Sequence, residues 1–347
     1  MPEQALVTAR PVLRRKGQEE KRLTDALQTL TIHMHSEGLD HAEIELVNWG
    51  GIEGSESAYA LLDVELGDAI EVAFGATPAV VFKGEVTGIE ERYGEGAPKI
   101  VLLAEDALHR LARKRRSRVF EEQSVDDIVR TVAQDSQLTA DVQVSSSTLT
   151  VHQLDESDLA LLRRLVRPFG VPLRLEGGTK LVAKEPEPSG DPFKLDARDN
   201  ALRVRVAADL DRLFGTAKVG GYNVPAGEVV DATKTDLEPA PSGKGAKSHL
   251  GDLGWDNETR VPWPVGLSSG HGDDLAKGAL ARYLGSFLKG DVVCEGDARI
   301  KPGIDVELAG VSPRLAGTYG VVSCVHRFDL ERGYECYAVI ARPDWNP

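Results

Sequence analysis

The sequence predicts a mainly β protein with an inserted α+β domain. Two observations predict it. The first is a pattern that appears twice. Near the N-terminus the chain reads Gly67-Asp-Ala-Ile-Glu-Val-Ala-Phe74, then a loop, then Val81-Phe-Lys-Gly84-Glu-Val-Thr-Gly-Ile89, a glycine turn at Gly94 to Gly96, and Lys99-Ile-Val-Leu-Leu103. Near the C-terminus it reads Gly303-Ile-Asp-Val-Glu-Leu308, a loop, Leu315-Ala-Gly-Thr-Tyr-Gly-Val-Val322, a turn at Glu331 to Gly333, and Tyr334-Glu-Cys-Tyr-Ala-Val-Ile340. Ile70, Val72 and Phe74 alternate with Ala69, Glu71 and Ala73, and Ile304, Val306 and Leu308 with Asp305 and Glu307, as half-buried strands require. Two explanations stay open: antiparallel hairpins resemble one another, or a barrel-like module has been duplicated. The second observation is that helical periodicity concentrates between residues 105 and 170, with one more helix near 273–288.

Taken in order, residues 1–25 are polar, with Arg14-Arg-Lys16 and Glu19-Glu-Lys-Arg22, and read as an arm. From Gln28 to Val47 the pattern is strand-like, Leu30, Ile32 and Met34 sharing a face, and strands continue to Leu103. A short helix is expected from Glu105. It runs into Arg110-Leu-Ala-Arg-Lys-Arg-Arg-Ser-Arg118, six basic residues in nine. Ser124 to Asp127 reads as a capping box for a helix burying Ile128, Val129 and Val132. Val142 and Val144 suggest a short strand. Asp155-Glu-Ser-Asp158 caps a second helix with the stripe Leu159, Leu162, Leu165, Val166 and Phe169, which Pro168 and Gly170 end. Strands at 172–176 and 180–183 flank Gly177-Gly178. Residues 185–192 are a linker by composition. Strand character returns at 201–206 and 216–219. Residues 225–262 are poor in apolar side chains and read as a long excursion. The expected division is therefore an arm (1–25), a first β domain (26–110 with about 200–230), an inserted α+β domain (111–199) and a second β domain (231–347).

The chain has 347 residues and a formal charge of −14, with 41 basic against 55 acidic residues. Phosphate contacts dominate nucleic-acid affinity, so this balance argues against a general nucleic-acid binder. The acidity maintains solubility or suits a channel through which an acidic cargo slides. The basic run most simply pairs with carboxylates, although Arg113, Lys114, Arg115 and Arg116 are also a candidate inter-subunit contact. Cys294, Cys324 and Cys336 stand at no metal-ligand spacing; an odd count in a long chain reads as small core residues in a reducing compartment. No apolar run reaches bilayer length and no export segment opens the chain, so membrane insertion is not expected and synthesis in the cytoplasm is.

Catalytic patterns are scarce. His33 and His35 lie on one strand face with His41 nearby, short of the three or four protein ligands of a zinc site with a diagnostic spacing. Gly243-Lys-Gly-Ala-Lys-Ser248 fails the phosphate-loop spacing, with Ala246 where the second glycine belongs. Asp155, Glu156 and Asp158 are explained by helix capping and the helix dipole. His326 reads as a core or interface histidine. No cofactor and no enzymatic activity are expected.

Two stretches carry a family resemblance. One is Gln153-Leu-Asp-Glu156-Ser157-Asp158, continuing through Leu162 and Leu165 to Gly170. The other comprises Gly303, Val306, Gly310, Gly317, Tyr319, His326, Gly333 and Arg342. In this order and separation the chain resembles the late-control D family of phage tail baseplate hub proteins, which is similar to the N-terminal part of VgrG spike proteins. Leu161 or Leu162 stands where the family often has an aromatic residue. The resemblance implies two tube-type β-barrel domains per chain and a homotrimer whose six modules form a pseudo-six-fold ring. It implies a structural hub that adapts a hexameric tail tube to a three-fold spike, contacts other baseplate proteins, and nucleates the inner tube of a virion or contractile injection particle. VgrG-type chains continue into a needle; because this one stops at Pro347, a separate spike trimer is expected. Two other readings are a tail-associated peptidoglycan hydrolase, which should show an acidic or Cys/His cleft, and a glycan-binding tail-tip protein, for which Trp255 and Trp263 are the available aromatics.

Overall fold

The computed structural model describes residues 10–346 except 51–57, 76, 95, 145, 187–189, 225, 239 and 263–267; Trp263 lies outside the described residues. The chain begins with β1 (Val12–Arg15), β2 (Gln18–Glu19) and α1 (Lys21–Ala26), then β3 (Leu27–His35), β4 (His41–Val47), β5 (Ala69–Phe74), β6 (Ala79–Arg92) and β7 (Lys99–Glu105). These strands lie in the order β3-β4-β7-β6-β5-β1-β2, with every neighbouring pair antiparallel. Alternation puts Leu30, Ile32, Ile44, Leu46, Ile70, Val72 and Leu102 into one core. Part of the expected arm belongs here. Leu13 and Leu23 are buried in this core, and Arg15 is tied to Asp63 and Asp68. Two leucines among many charges are enough to anchor a segment in which Arg14, Arg15, Lys16, Glu20 and Arg22 find partners.

The inserted unit holds α2 (Leu108–Arg113), β8 (Arg115–Gln123), α3 (Val125–Asp135), β9 (Thr139–Val142), β10 (Leu149–Ser157), α4 (Asp158–Val166), β11 (Arg174–Glu176) and β12 (Lys180–Ala183). Its two longer helices, α3 and α4, form where the sequence placed them. Ser124 Oγ accepts from the Asp127 N–H at 3.2 Å and Ser157 Oγ from Ala160 N–H at 3.2 Å, so each caps its helix. Ile128, Val129, Val132, Leu161, Leu162 and Leu165 share a separate core. The helix expected from Glu105 starts later, because Glu105 still pairs in β7 and Asp106 Oδ1 accepts from Leu108 N–H instead.

The remainder forms β13 (Phe193–Asp196), β14 (Ala201–Ala208), β15 (Thr216–Asn223), β16 (Glu228–Lys234), β17 (Lys244–Gly245), α5 (Ala246–Leu253), β18 (Glu258–Pro262), α6 (Ser269–Leu284), β19 (Leu288–Glu295), β20 (Asp305–Ala309), β21 (Gly317–Asp329), β22 (Gly333–Arg342) and β23 (Asp344–Trp345). Three expectations change here. The strand at 201–206 does not complete the first β domain: β14 pairs with β19 and Ala201 joins the second core. Its alternation signals a strand but carries no information about which sheet edge it meets. The supposed excursion contains β16, α5 and β18, and β15, β16 and β18 form a small sheet on which α6 packs through Leu275 and Ala276. The last helix runs Ser269–Leu284 rather than to Leu288, because Ser268 caps its start and Leu288 already pairs with Arg342.

The sequence repeat has a structural counterpart. Neighbour by neighbour, β5-β6-β7-β4-β3 in the first module corresponds to β20-β21-β22-β19-β14 in the second. Two of the irregularities match as well, although the shift at Val72/Ala73 between β5 and β6 has no counterpart between β20 and β21. A register shift falls at Val86/Gly88 in one and Val321/Ser323 in the other, and another at Leu27/Thr29 and Ala201/Arg203. Matching bulges are hard to reconcile with generic hairpin similarity, since a bulge marks one residue in one strand. The modules are joined by strand pairing: Ser323–Asp329 of β21 runs antiparallel to His35–Thr29 of β3. One 13-stranded sheet thus spans two cores.

Candidate assembly face

Gln153 of the first motif and two arginines of β8 are brought together around one buried carboxylate. Asp158 is fully buried, and its Oδ1 accepts from Gln153 Nε2 at 2.9 Å and from Arg118 Nη2 at 3.1 Å. Arg116 Nε lies 3.3 Å from its Oδ2. Gln153, also fully buried, receives Arg118 Nε at 2.8 Å and donates to Glu156 O at 2.9 Å. Glu156 pairs with Arg164 at 2.8 Å. Capping accounts for Ser157, and the first-turn position of Asp158 is not its whole environment. Asp158, in the first turn of α4, also joins Arg116 and Arg118 of β8 to Gln153 of β10, something that spacing along one helix cannot reveal. Leu162 and Leu165 fill the core, and Gly170 (φ +74°) packs against Gly278.

The same network accounts for much of the basic run. Arg110 pairs with Glu85, Arg115 with Asp155, and Arg116 and Arg118 reach Asp135 at 2.9 and 2.7 Å. Arg113 and Lys114 are exposed.

The second motif builds the end of the second module. Arg342 is buried, 3.0 Å from Asp344, donates to Ala316 O at 2.9 Å, and lies over the Tyr319 ring at 5.2 Å. Tyr319 donates its hydroxyl to Leu315 O at 2.7 Å. Gly317 (φ +130°) lets Arg342 approach, Gly310 (φ +72°) turns against Asp196, and Gly303 (φ +87°) and Gly333 (φ +78°) open their strands. Val306 is in the core.

His326 sits at the junction of the modules, opposite Ile32 in the β21–β3 ladder. It is fully buried: Nδ1 is 2.7 Å from the Tyr334 hydroxyl and 3.2 Å from Cys336 Sγ, and Nε2 is 3.6 Å from Cys324 Sγ. Cys294 lies opposite Cys336 in the β19–β22 ladder. Sequence spacing gave no sign that Cys336 meets this histidine, because it comes from the neighbouring strand β22, while Cys324 lies two residues before it on β21. Burial opposes charge on the imidazole, but the Cys336 and Cys324 sulfurs outweigh it and push His326 up to about 10. A Cys–His contact is the arrangement of a nucleophilic dyad. Here both groups are sealed from solvent, so no substrate reaches them. Tyr334 also stacks on Phe74 of the first module at 3.8 Å, making this centre a structural rivet between modules.

His33 and His41 face each other across β3 and β4 with rings stacked at 4.6 Å, and burial together with the neighbouring His41 pushes His33 down. Among the described residues no group of three or more His, Cys, Asp or Glu is placed to hold a metal, and no helix is long and apolar enough to cross a membrane.

What remains open to a partner is backbone edge. Among the described residues β14 pairs on one side only, with β19. In β6, the stretch beyond Val86 pairs with β7 alone. Unpaired edges of this length are normally covered or blunted.

A family model described as the Alg8 N-terminal domain matches residues 19–329. The chain belongs to this family. No curated protein matches the sequence. Among solved structures, the 43 kDa tail protein of prophage MuSo2 from Shewanella oneidensis is similar with a TM-score of 0.71 at 16% identity, over 96% of this chain and 98% of that one. A tail protein from Neisseria meningitidis MC58 gives 0.68 at 14% identity, over 97% of each chain. An Escherichia coli component of the type VI secretion system, itself described as similar to the T4 tail proteins gp27 and gp5, gives 0.64 at 12% identity over 96% of this chain and 79% of that one. The Alg8 N-terminal domain chain described here therefore has the fold of phage tail proteins and of a type VI secretion component.

Proposed function

We propose that this chain is the structural hub of a phage tail or contractile injection particle, a late-control D-like protein. Three copies would set six similar modules in a ring, matching a hexameric tail tube on one side and a three-fold spike on the other. The observation that carries this reading is the duplication itself: two modules with the same strand order and two corresponding bulges, joined in one chain by strand pairing. A chain with one module needs six copies to make such a ring; a chain with two needs three. The fold of the tail proteins described above supports the same reading.

The inserted α+β domain then stands outside the ring as a platform for other baseplate proteins. Its exposed Arg113 and Lys114, beside the paired Arg115 and Arg116, are the residues proposed to reach a neighbouring subunit. Serine at positions 113 and 114 should weaken assembly, and unchanged assembly removes these two from the contact.

Native mass spectrometry across a concentration range, with end-on electron-microscopy averages of the same sample, tests the hub. A trimer showing six lobes is expected. A chain that stays monomeric alone and with a co-expressed spike, or a ring of another order, would overturn the reading.

A further inference from the structure

The strand pairing inside the chain specifies where the next copy attaches. Each module offers one edge of its last-placed strand (β3 or β14) and one free stretch on its long hairpin strand (β6 or β21). Inside the chain, β3 has taken the free stretch of β21. One edge of each kind is left over: β14 and the Thr87–Tyr93 region of β6 and the turn after it. We propose that copies of this chain join head to tail by antiparallel pairing of β14 in one copy with this region of the next copy. The occupant of the open edge is a second copy of the chain, and the proposal rests on the ring reading above.

The matched bulges fix the register. Gly88 corresponds to Ser323, and Thr29 to Arg203. Within the chain Val325 faces His33, Arg327 faces Thr31 and Phe328 faces Leu30. Transferring these pairs places Glu90 opposite Ala207, Arg92 opposite Arg205, and Tyr93 opposite Val204. The last pair is informative. Phe328 and Leu30 are buried at 3% and 0% exposure, whereas their counterpart Tyr93 is 59% exposed and Val204 half-buried. Pairing would cover an aromatic ring whose equivalent in the other module is already covered. Charge agrees: β14 carries Arg203 and Arg205 with no acid, while the free stretch of β6 carries Glu90 and Glu91 beside one arginine. Arg92 meets Arg205 directly, but Arg92 is held by Glu90 at 2.8 Å and Glu45 at 3.0 Å, and Glu90 falls on the diagonal to Arg205. A head-to-tail contact of this type closes into a ring when its rotation permits.

The test is cross-linking of the full chain carrying Glu90→Cys and Ala207→Cys. Directly opposed residues place their Cβ atoms about 5 Å apart, close enough for a disulfide after small adjustment. The native cysteines are buried and do not compete. Under mild oxidation the double variant should give covalent species that stop at three copies, and Glu90→Cys with Arg203→Cys, four residues out of register, should give none. A trimer by native mass spectrometry that fails to cross-link in the first variant, or cross-links equally in the second, would overturn this seam and leave the hub reading standing. Absence of any assembly, alone and with a co-expressed spike, would overturn both, and a covalent ladder running past three copies would keep the seam but overturn the closed ring.

Discussion

Gly67 and Gly303 occupy the same place in the two modules. Gly67 donates its N–H to Val86 O at 2.8 Å, and Gly303 donates to Val321 O at 2.9 Å. Their φ angles are +89° and +87°. Each glycine starts the strand that leads into its module's long hairpin, in a conformation that penalises any Cβ. Although the chain around them differs in sequence, the backbone has been kept to within a tenth of an ångström in this contact.

Alanine at either position should therefore cost about 1–2 kcal/mol of backbone strain. At Gly67 a Cβ meets nothing within 4 Å, and at Gly303 it meets only the Arg174 guanidinium at 3.5 Å, an ordinary contact. Denaturant unfolding should give similar losses for Gly67→Ala and Gly303→Ala. A large loss at one and none at the other would show that the two turns are not equivalent.

Asp158→Ala should destabilise the inserted unit by about 1–3 kcal/mol, because it removes a buried acceptor from Gln153, Arg116 and Arg118 while the two arginines keep Asp135. Asp158→Asn should lose less, since its amide oxygen still accepts from Gln153. Thermal melts of the two variants distinguish this network from a simple helix-dipole effect, for which both would lose under about 1 kcal/mol.

Asp40 and Asp106 line the junction between the first module and the insertion. Asp106 Oδ2 accepts from Asp40 N–H at 3.0 Å, and Asp40 Oδ1 accepts from His35 N–H at 3.1 Å. Burial pushes Asp40 up to about 7, with Asp106 adding to it, and burial pushes Asp106 up to about 6. The folded protein thus binds protons that the unfolded chain releases from about pH 4 upward. Their stabilising contribution is full below pH 4 and is lost as pH rises through 6 to 7. Asp40→Asn should raise stability at pH 8 by about 1–2 kcal/mol and change it little near pH 4. A gain that is the same at both values would place the effect elsewhere.

Tyr334 couples the modules through its stack on Phe74 and its bond to His326. Tyr334→Phe should cost about 1 kcal/mol by leaving His326 Nδ1 with the Cys336 sulfur as its remaining partner. Tyr334→Ala should cost about 3–5 kcal/mol by opening a cavity between the cores. If the centre is a rivet, calorimetry of the alanine variant should resolve the single transition into two.

Part of this architecture was written in the linear sequence. Ser124 and Ser157 announced their helices because a cap is a local contact within three residues. Ile70, Val72 and Phe74, and their partners Val306 and Leu308, announced strands and their repeat because alternation is set by the pleat alone. What the sequence could not state was partnership. Ala201–Ala208 looked like any strand; only packing decided that it pairs with Leu288–Glu295 rather than with the first module. Leu13 and Leu23 were two apolar residues among charges until β5 received them. Asp158 acquired its arginines from a strand about forty residues earlier, and His326 its Cys336 contact from the neighbouring strand. Local periodicity is fixed by backbone geometry over a few residues, whereas sheet edges, buried ion pairs and the seam between modules depend on which surfaces exclude water together, and that is settled only when the whole chain has folded.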